Sequence, residues 1–195
     1  MNLNKLEVLW FKILKEKTGS LFIFIFLLII PFNFFKLLSI FFISNIIFPS
    51  DVKQNKDKFL YYLPFSKKEV VVYVYLLLTA IVLIPYFLVM PIVSTSYFSF
   101  FNGLWYLINF QTLIFSIALI AVSFKLDNIG ISIVYIIFDS LFSSLGSTKL
   151  GNTFNPYIFI SVLRQGNKFL TSVFAFLILL LAIKLYSRSD KYVKN

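Results

Sequence analysis

The chain has 195 residues, of which 59% are hydrophobic, 20% aromatic and only 13% charged. A soluble domain is about a quarter charged, so this composition excludes a soluble enzyme and a disordered chain and predicts an all-α polytopic membrane protein. The chain contains no Cys and no His, which excludes disulfides, thiolate or imidazole metal sites and catalysis by either group. The formal charge of +10 is distributed between apolar runs, a pattern that indicates membrane topology rather than nucleic-acid binding.

Residues 1–17 predict an amphipathic helix. Apolar residues recur there at helical spacing, with Lys and Glu over much of the remaining surface; they are Leu3, Leu6, Trp10, Ile13 and Leu14. A helix with one apolar face and basic flanks lies in the membrane interface. The alternative interpretation is a cytosolic lead-in to the first span.

Residues 18–195 predict a domain of six membrane spans. We place them at about 18–33, 35–50, 67–90, 104–124, 129–147 and 168–186. The first two are short, about 24 Å each at 1.5 Å per residue, and turn near Pro31–Asn33. With six spans, 14 of the 18 basic residues lie inside, which predicts a plasma-membrane protein with both termini cytoplasmic. A five-span alternative would place the two Lys-rich segments around 19–50 on opposite faces.

Residues 51–69 are the most polar stretch and predict a cytosolic segment. Ser66 and Glu69 have the spacing of a capping box, which predicts that the next helix begins at Lys67. An apolar patch precedes the box and ends at Pro64; it consists of Phe59, Leu60, Tyr61, Tyr62 and Leu63. Such an element suits a cytosolic partner, or else an interfacial loop whose lysines reach acidic lipid.

Asp139 is the one acidic residue deep inside a predicted span. A charge near mid-bilayer costs about 2.5–3.5 kcal/mol, so it should face a partner or a wet cavity. Serines follow at helical spacing, namely Ser140, Ser143, Ser144 and Ser147. This strip either lines a translocation path or packs helices together through hydroxyl hydrogen bonds. With no Lys or Arg at that depth, we expect a protonated carboxyl rather than an ion pair.

Residues 63–70 (LPFSKKEV) resemble the L-P-(apolar)-S/T-R/K-x-E-(apolar) signature before the third span of type-two ABC transporter permeases. That family is the exporter branch handling drugs, lipids and polysaccharides. Asn155, Pro156 and Tyr157 with Arg164, in the predicted outer segment 148–167, resemble the family's outer N-P-x-x-(aromatic)…R segment. Residues 186–190 (YSRSD) resemble its basic ending. The order of helix, two spans, cytosolic segment and remaining spans also agrees.

The resemblance implies a permease subunit that is not itself an enzyme. Residues 59–63 would form a coupling helix on an ATP-binding subunit, and Lys67, Lys68 and Glu69 would fix its exit into the third span. ATP and Mg would be bound by that partner, and a second permease subunit, the same chain or a paralogue, would complete the transporter within membrane lipid. The chain itself has no G-x-x-x-x-G-K-[ST] sequence, and no cofactor is expected on it.

Two other classes remain open on the sequence. One is a non-ABC polytopic membrane protein, such as a small channel or a membrane-integral assembly factor. The other is an intramembrane enzyme. It ranks below the permease and the non-ABC protein because the chain lacks a paired carboxylate site and any His or Cys.

Overall fold

A computed structural model describes residues 3–30, 32–54, 66–93, 97–145 and 155–188, and all regular secondary structure in these ranges is helical. The elements are α1 (Leu3–Ile29), α2 (Asn33–Ile46), α3 (Pro49–Lys53), α4 (Lys67–Val93), α5 (Tyr97–Ser123), α6 (Asn128–Ser144), a 3₁₀ helix (Pro156–Phe159) and α7 (Lys168–Arg188). The predicted all-α class is confirmed.

Four helical stretches are long and apolar enough to cross a membrane. They are Asn33–Lys53, Lys67–Val89, Phe100–Ser123 and Lys168–Arg188. α6 is apolar but has 17 residues, the lower limit of about 17 for a spanning helix. Four spans therefore follow from length and composition, and the count of six stays a prediction.

α1 is one continuous helix of 27 residues. α1 continues through residue 17 without a break, so the predicted interfacial helix and first span belong to one helix, and the division between them stays a prediction. Four leucine and isoleucine side chains are buried along its length and so join both halves to one packing surface; they are Leu9, Ile13, Leu21 and Leu28. The indole N–H of Trp10 donates to the carbonyl of Tyr73 in α4, over 3.0 Å. The polar half of α1 thus packs on the bundle.

The second predicted span consists of two helices, α2 and α3. Pro49 is the first residue of α3, a position whose N–H has no partner within the helix, so the N–H that proline lacks is not missed. In the interior of a helix, proline would remove a hydrogen bond, so α2 does not continue through Pro49. The chain changes direction between Ile29 and Asn33, as the sequence predicts. Ser39 in α2 donates to the carbonyl of Phe24 in α1, over 2.6 Å, which holds the two helices together.

α5 begins at Tyr97, seven residues before the predicted 104. The reason is a tight contact with α4. The hydroxyl of Tyr86 donates to the carbonyl of Phe100 over 2.7 Å, and a Cβ at Gly103 would lie 2.5 Å from that hydroxyl oxygen. The contact with Tyr86 thus holds the first turns of α5 against α4. Residues 97–103 carry no charge, and nothing in their sequence indicates this contact.

The bundle has two chemically different ends. At the basic end, defined by residues 47–54, 66–70, 123–128 and 184–188, Phe48 stacks edge-on against Tyr186. At the distal end, defined by residues 28–30, 32–36, 84–93, 97–106, 139–145 and 155–172, Lys36 lies over the ring of Tyr86. Three lysines from segments predicted to share one side of the membrane have contacts at the basic end: Lys17 with Asp51, Lys53 with Asp127, and Lys67 with the ring of Tyr186.

Candidate functional site: a buried carboxylate and the segment it holds

The carboxylate of Asp139 is fully buried at the distal end. Two hydroxyl groups donate to it over 2.8 Å, those of Tyr157 and Ser161. Two backbone N–H groups also donate, those of Val162 at 3.2 Å and Leu163 at 3.0 Å. Each carboxylate oxygen receives one hydroxyl and one N–H, so burial leaves neither oxygen unsatisfied.

Local sequence shapes the donor segment. Asn155 accepts from the N–H of Tyr157 over 3.0 Å and starts the 3₁₀ helix, with Pro156 at its first position. The Asn155 amide also donates to the carbonyl of Phe142 in α6, over 2.8 Å. This second contact fixes the segment to α6 on the same helix that carries Asp139.

The serine strip does not surround the carboxylate. Ser140 and Ser144 are exposed, whereas Ser143 is buried. The hydroxyls of Ser143 and Ser144 donate to carbonyls of their own helix. Ser147 lies outside the described residues. The predicted alternatives of a translocation path and helix packing therefore both stay predictions, but the carboxylate's partners come from residues 157–163.

Within the described part of the chain, the groups that hydrogen-bond to the Asp139 carboxylate belong to Tyr157, Ser161, Val162 and Leu163. Its protonation state stays a prediction. All four surrounding groups act as hydrogen-bond donors to the carboxylate. Across the described ranges, no three acidic side chains come together as metal ligands.

A second polar network fixes the end of the same segment to α5. The amide of Asn109 donates to Gln165 Oε1 over 3.2 Å, and Gln165 Nε2 donates to the carbonyl of Tyr106 over 3.0 Å. Gln165 is buried and has a positive φ of 47°, a conformation that non-glycine residues rarely adopt. On α7, the Thr171 hydroxyl donates to the carbonyl of Phe159 over 2.9 Å.

Residues 155–167 therefore form an irregular segment packed against α5, α6 and α7. Irregular backbone at membrane depth is tolerated only when protein or water satisfies its polar groups. Asp139 and Gln165 supply this from within the chain. Arg164, predicted as part of the outer segment, has an exposed side chain, and its N–H donates to Ser161 Oγ.

The capping box at the basic end is confirmed. The N–H of Ser66 donates to Glu69 Oε2 over 2.8 Å, and the N–H of Glu69 lies 3.3 Å from Ser66 Oγ. α4 begins at Lys67 as predicted, and the ammonium of Lys67 lies 5.3 Å from the ring centroid of Tyr186. Lys68 is exposed.

Two ion pairs join other elements at the basic end. Lys17 of α1 pairs with Asp51 of α3, with 2.6 Å between Nζ and Oδ1. Lys53 pairs with Asp127, which also caps α6 by accepting from the N–H of Gly130 over 2.6 Å. The hydrogen bond from Lys53, and then that from Gly130, lower the pKa of Asp127 below its ordinary value.

The predicted coupling residues are described only in part. Phe59, Leu60, Tyr61, Tyr62, Leu63 and Pro64 lie outside the described residues. Ser66, Lys67, Lys68 and Glu69 lie together at the basic end, and Asp139, Asn155 and Pro156 lie together at the distal end. The structure thus does not bring the two groups of predicted site residues into one site.

Sequence reasoning missed Ser161, Gln165 and Asn109. Their only signal is polarity within or beside an apolar stretch, which many surface residues share. The pairing of Asp139 with Ser161 spans 22 residues and has no local pattern.

These features define the class of the chain: the described residues form apolar helices, consistent with a helical membrane protein. No family model, no curated protein and no solved structure matches the chain.

Proposed function

We propose that this chain is the membrane-spanning permease subunit of an ATP-driven ABC exporter. It has six spans with both termini in the cytoplasm of a plasma-membrane transporter. A separate ATP-binding subunit holds ATP and Mg, and a second permease subunit, identical or paralogous, completes a dimer. The chain provides the substrate path and no catalytic group.

The observation that carries the proposal is the helix start at residues 66–69. The L-P-x-S-K-x-E pattern has a physical meaning in the structure, because Ser66 and Glu69 cap each other and fix where α4 begins. If a partner displaces residues 59–64, a long helix next to them is needed to transmit the displacement. α4, with 27 residues, is about 40 Å long and reaches the distal end.

The arrangement of the basic end supports the same proposal. Lys17 with Asp51 and Lys53 with Asp127 connect α1, α3 and the start of α6 at this end. A displacement there is transmitted to several helices at once. Coupling further requires that the permease contacts two states of the ATPase with different free energies.

The first experiment is purification of the tagged chain in mild detergent with mass spectrometry of what accompanies it. We expect an ATP-binding cassette subunit in near-equal amount. Recovery of the chain with no nucleotide-binding protein would favour a small channel or an assembly factor instead.

The second experiment tests the coupling residues in the reconstituted complex. Glu69→Ala combined with Leu63→Asp is expected to abolish stimulation of ATPase activity while membrane insertion is retained. The matched control is Glu16→Ala with Leu126→Asp, which makes the same chemical changes at two exposed sites. Equal ATPase stimulation in the two double variants would reject the coupling assignment.

A further inference from the structure

A cleft with polar groups on its floor lies between α5 and α7, beside Tyr75 of α4. Asn109 and Thr112 belong to the floor and are 3% and 5% exposed. Three aromatic side chains at the opening are 45% to 60% exposed, namely Phe101, Trp105 and Phe176. The cleft thus combines an aromatic opening with a buried, hydrogen-bonding floor.

One polar pair on the floor joins α4 to α5. The hydroxyl oxygens of Tyr75 and Thr112 lie 2.8 Å apart. The Thr112 hydroxyl donates to the carbonyl of Ile108 in its own helix, over 2.7 Å. Because a hydroxyl has a single proton, Thr112 is the acceptor in this pair and Tyr75 is the donor.

A second polar group of the floor joins α5 to α7. The indole N–H of Trp105 donates to Ser172 Oγ over 2.5 Å. The Ser172 hydroxyl has acceptors in Asn109 Oδ1, at 2.9 Å, and in the carbonyl of Lys168, at 2.8 Å. The amide of Asn109 donates to Gln165 Oε1 over 3.2 Å and to the carbonyl of Lys168 over 3.3 Å.

The side chains that line the cleft therefore use all their hydrogen-bond donors on partners in the described part of the chain. What remains is acceptor capacity, because a hydroxyl oxygen and an amide oxygen each have two lone pairs. Tyr75 Oη, Thr112 Oγ1 and Asn109 Oδ1 each keep at least one lone pair for a ligand. A ligand gains hydrogen bonds here by donating them, and an anion cannot do so.

Charge separates the two kinds of donor that remain, cations and neutral groups. The described residues that line the cleft include no Asp or Glu, and a charge buried at membrane depth is costly without an opposite charge. One turn before Ser172, the ammonium of Lys168 donates to Asn102 Oδ1 over 2.6 Å, which places a positive charge near the cleft. A neutral donor is free of both penalties.

We propose that this cleft binds a neutral amphipathic molecule with a free hydroxyl group, such as a long-chain alcohol or a diacylglycerol. The ligand hydroxyl donates to the oxygens of the floor, and the apolar body packs against the aromatic side chains at the opening. A largely apolar lining with a few placed polar groups is the usual composition of a small-molecule site. Binding requires neither ATP nor a partner, so the proposal stands independently of the transport function.

The test uses quenching of tryptophan fluorescence by a brominated ligand. The chain has two tryptophans, and of these only Trp105 lines the cleft. Trp10→Phe leaves Trp105 as the reporter, whereas Trp105→Phe leaves Trp10, which contacts Tyr73 in α4. The two probes are oleyl alcohol brominated across its double bond and the methyl ether of that alcohol, which has the same apolar body and no donor.

Each full-length variant is titrated with the two probes in phosphatidylcholine nanodiscs. We expect the alcohol to quench Trp105 at a concentration in the bilayer about fivefold lower than the ether, the effect of one net hydrogen bond. Trp10 should be quenched equally by both probes, which measures contact with probe dissolved in the bilayer. Equal quenching of Trp105 by the alcohol and the ether would overturn the proposal.

A matched pair of variants on α5 tests the floor, each made in the Trp10→Phe chain. Thr112→Val removes the acceptor of Tyr75, whose hydroxyl then becomes a free donor to an ether oxygen, so the preference for the alcohol should disappear. Ser116→Ala removes a hydroxyl that donates to the carbonyl of Thr112 outside the lining, and the preference should persist. A preference for the alcohol that survives Thr112→Val would also overturn the proposal.

Charged analogues test the assignment to a neutral ligand. The corresponding brominated amine and brominated fatty acid should each quench Trp105 less than the alcohol at equal concentration in the bilayer. Stronger quenching by the amine would assign the cleft to organic cations. Stronger quenching by the acid would assign it to anions attracted by Lys168, and either result would overturn the proposal.

Discussion

The hydroxyl of Ser161 donates to the carboxylate of Asp139 over 2.8 Å and so joins two residues that lie 22 positions apart. With Tyr157 and two backbone N–H groups, it makes Asp139 the common acceptor of an irregular segment. The least regular described backbone at the distal end therefore depends on a single side chain in α6.

Asp139→Asn should loosen this segment. The NH2 group of asparagine would replace one carboxylate oxygen, so the two donors to that oxygen would lose their acceptor. A buried polar group left unsatisfied costs about 1–3 kcal/mol. In the naturally cysteine-free chain, Val162→Cys is fully buried. We expect maleimide labelling of this thiol in lipid nanodiscs to rise severalfold when Asp139→Asn is added.

Two controls accompany this measurement. Arg164→Cys is exposed and should be labelled in both backgrounds, and Ser140→Ala changes an exposed residue of the same helix without touching the carboxylate. Unchanged protection of Val162→Cys in Asp139→Asn would show that the segment does not depend on the carboxylate. A loss of transport in Asp139→Asn with the thiol still protected would instead favour the translocation-path interpretation.

Gly166→Ala should destabilise the distal end. A Cβ at Gly166 would lie 2.6 Å from Cγ2 of Ile158 and 3.2 Å from the Ile158 carbonyl oxygen. The N–H of Gly166 donates to that same oxygen over 3.0 Å, so the backbone cannot move away without losing the bond. Overpacking of this kind costs about 1–3 kcal/mol, and we expect a Tm lower by several degrees in detergent.

Gly19→Ala is the matched control for Gly166→Ala. A Cβ at Gly19 would meet no atom within 4 Å, and Gly19 lies inside α1, where Ala is favoured over Gly by about 0.8–1.0 kcal/mol. We expect an unchanged or higher Tm. A similar fall in Tm in both variants would contradict the steric explanation.

Ser66→Ala should fray the start of α4. Loss of a Ser cap costs about 0.5–2 kcal/mol, and the Ser66 hydroxyl also lies 3.0 Å from Glu69 Oε2. Hydrogen exchange of the backbone N–H groups of residues 67–70 is expected to accelerate. Lys68→Ala, at an exposed position without a part in the cap, should leave exchange unchanged; acceleration in Lys68→Ala alone would reject the capping assignment.

Asp127 should make stability depend on pH in the acidic range. Its pKa is lowered in the folded state by Lys53 and by the N–H of Gly130, so its contribution is complete above its unfolded pKa of about 3.9. It is lost as the pH falls through the lower folded value. We expect the Tm difference between the unmodified chain and Asp127→Asn to shrink as the pH falls from 6 to below about 4.

Asn is itself a good N-cap, so this variant isolates the charge from the capping role. Because Asp127 is exposed, the effect should be small and weaken with salt. A Tm difference that stays constant over this pH range would contradict the role of the carboxylate charge.

The sequence by itself predicted what depends on neighbours along the chain. The helix start at Lys67 follows from Ser66 and Glu69, which are three residues apart. The predicted end of the fourth span at 124 and start of the fifth at 129 each lie one residue from the end of α5 at Ser123 and the start of α6 at Asn128. Composition predicted a membrane protein, because a chain with so few charges cannot cover a water-exposed surface. The long apolar runs then predicted helices, since a helix satisfies its own backbone polar groups in lipid.

Only the tertiary structure decided what depends on distant residues. The continuity of α1 comes from its packing on other helices, the early start of α5 from Tyr86, and the position of Leu163 from Asp139. A capping box is specified by a short spacing, whereas the partners of a buried carboxylate are selected by how helices pack. That packing brings together residues whose separation along the chain carries no periodic signal.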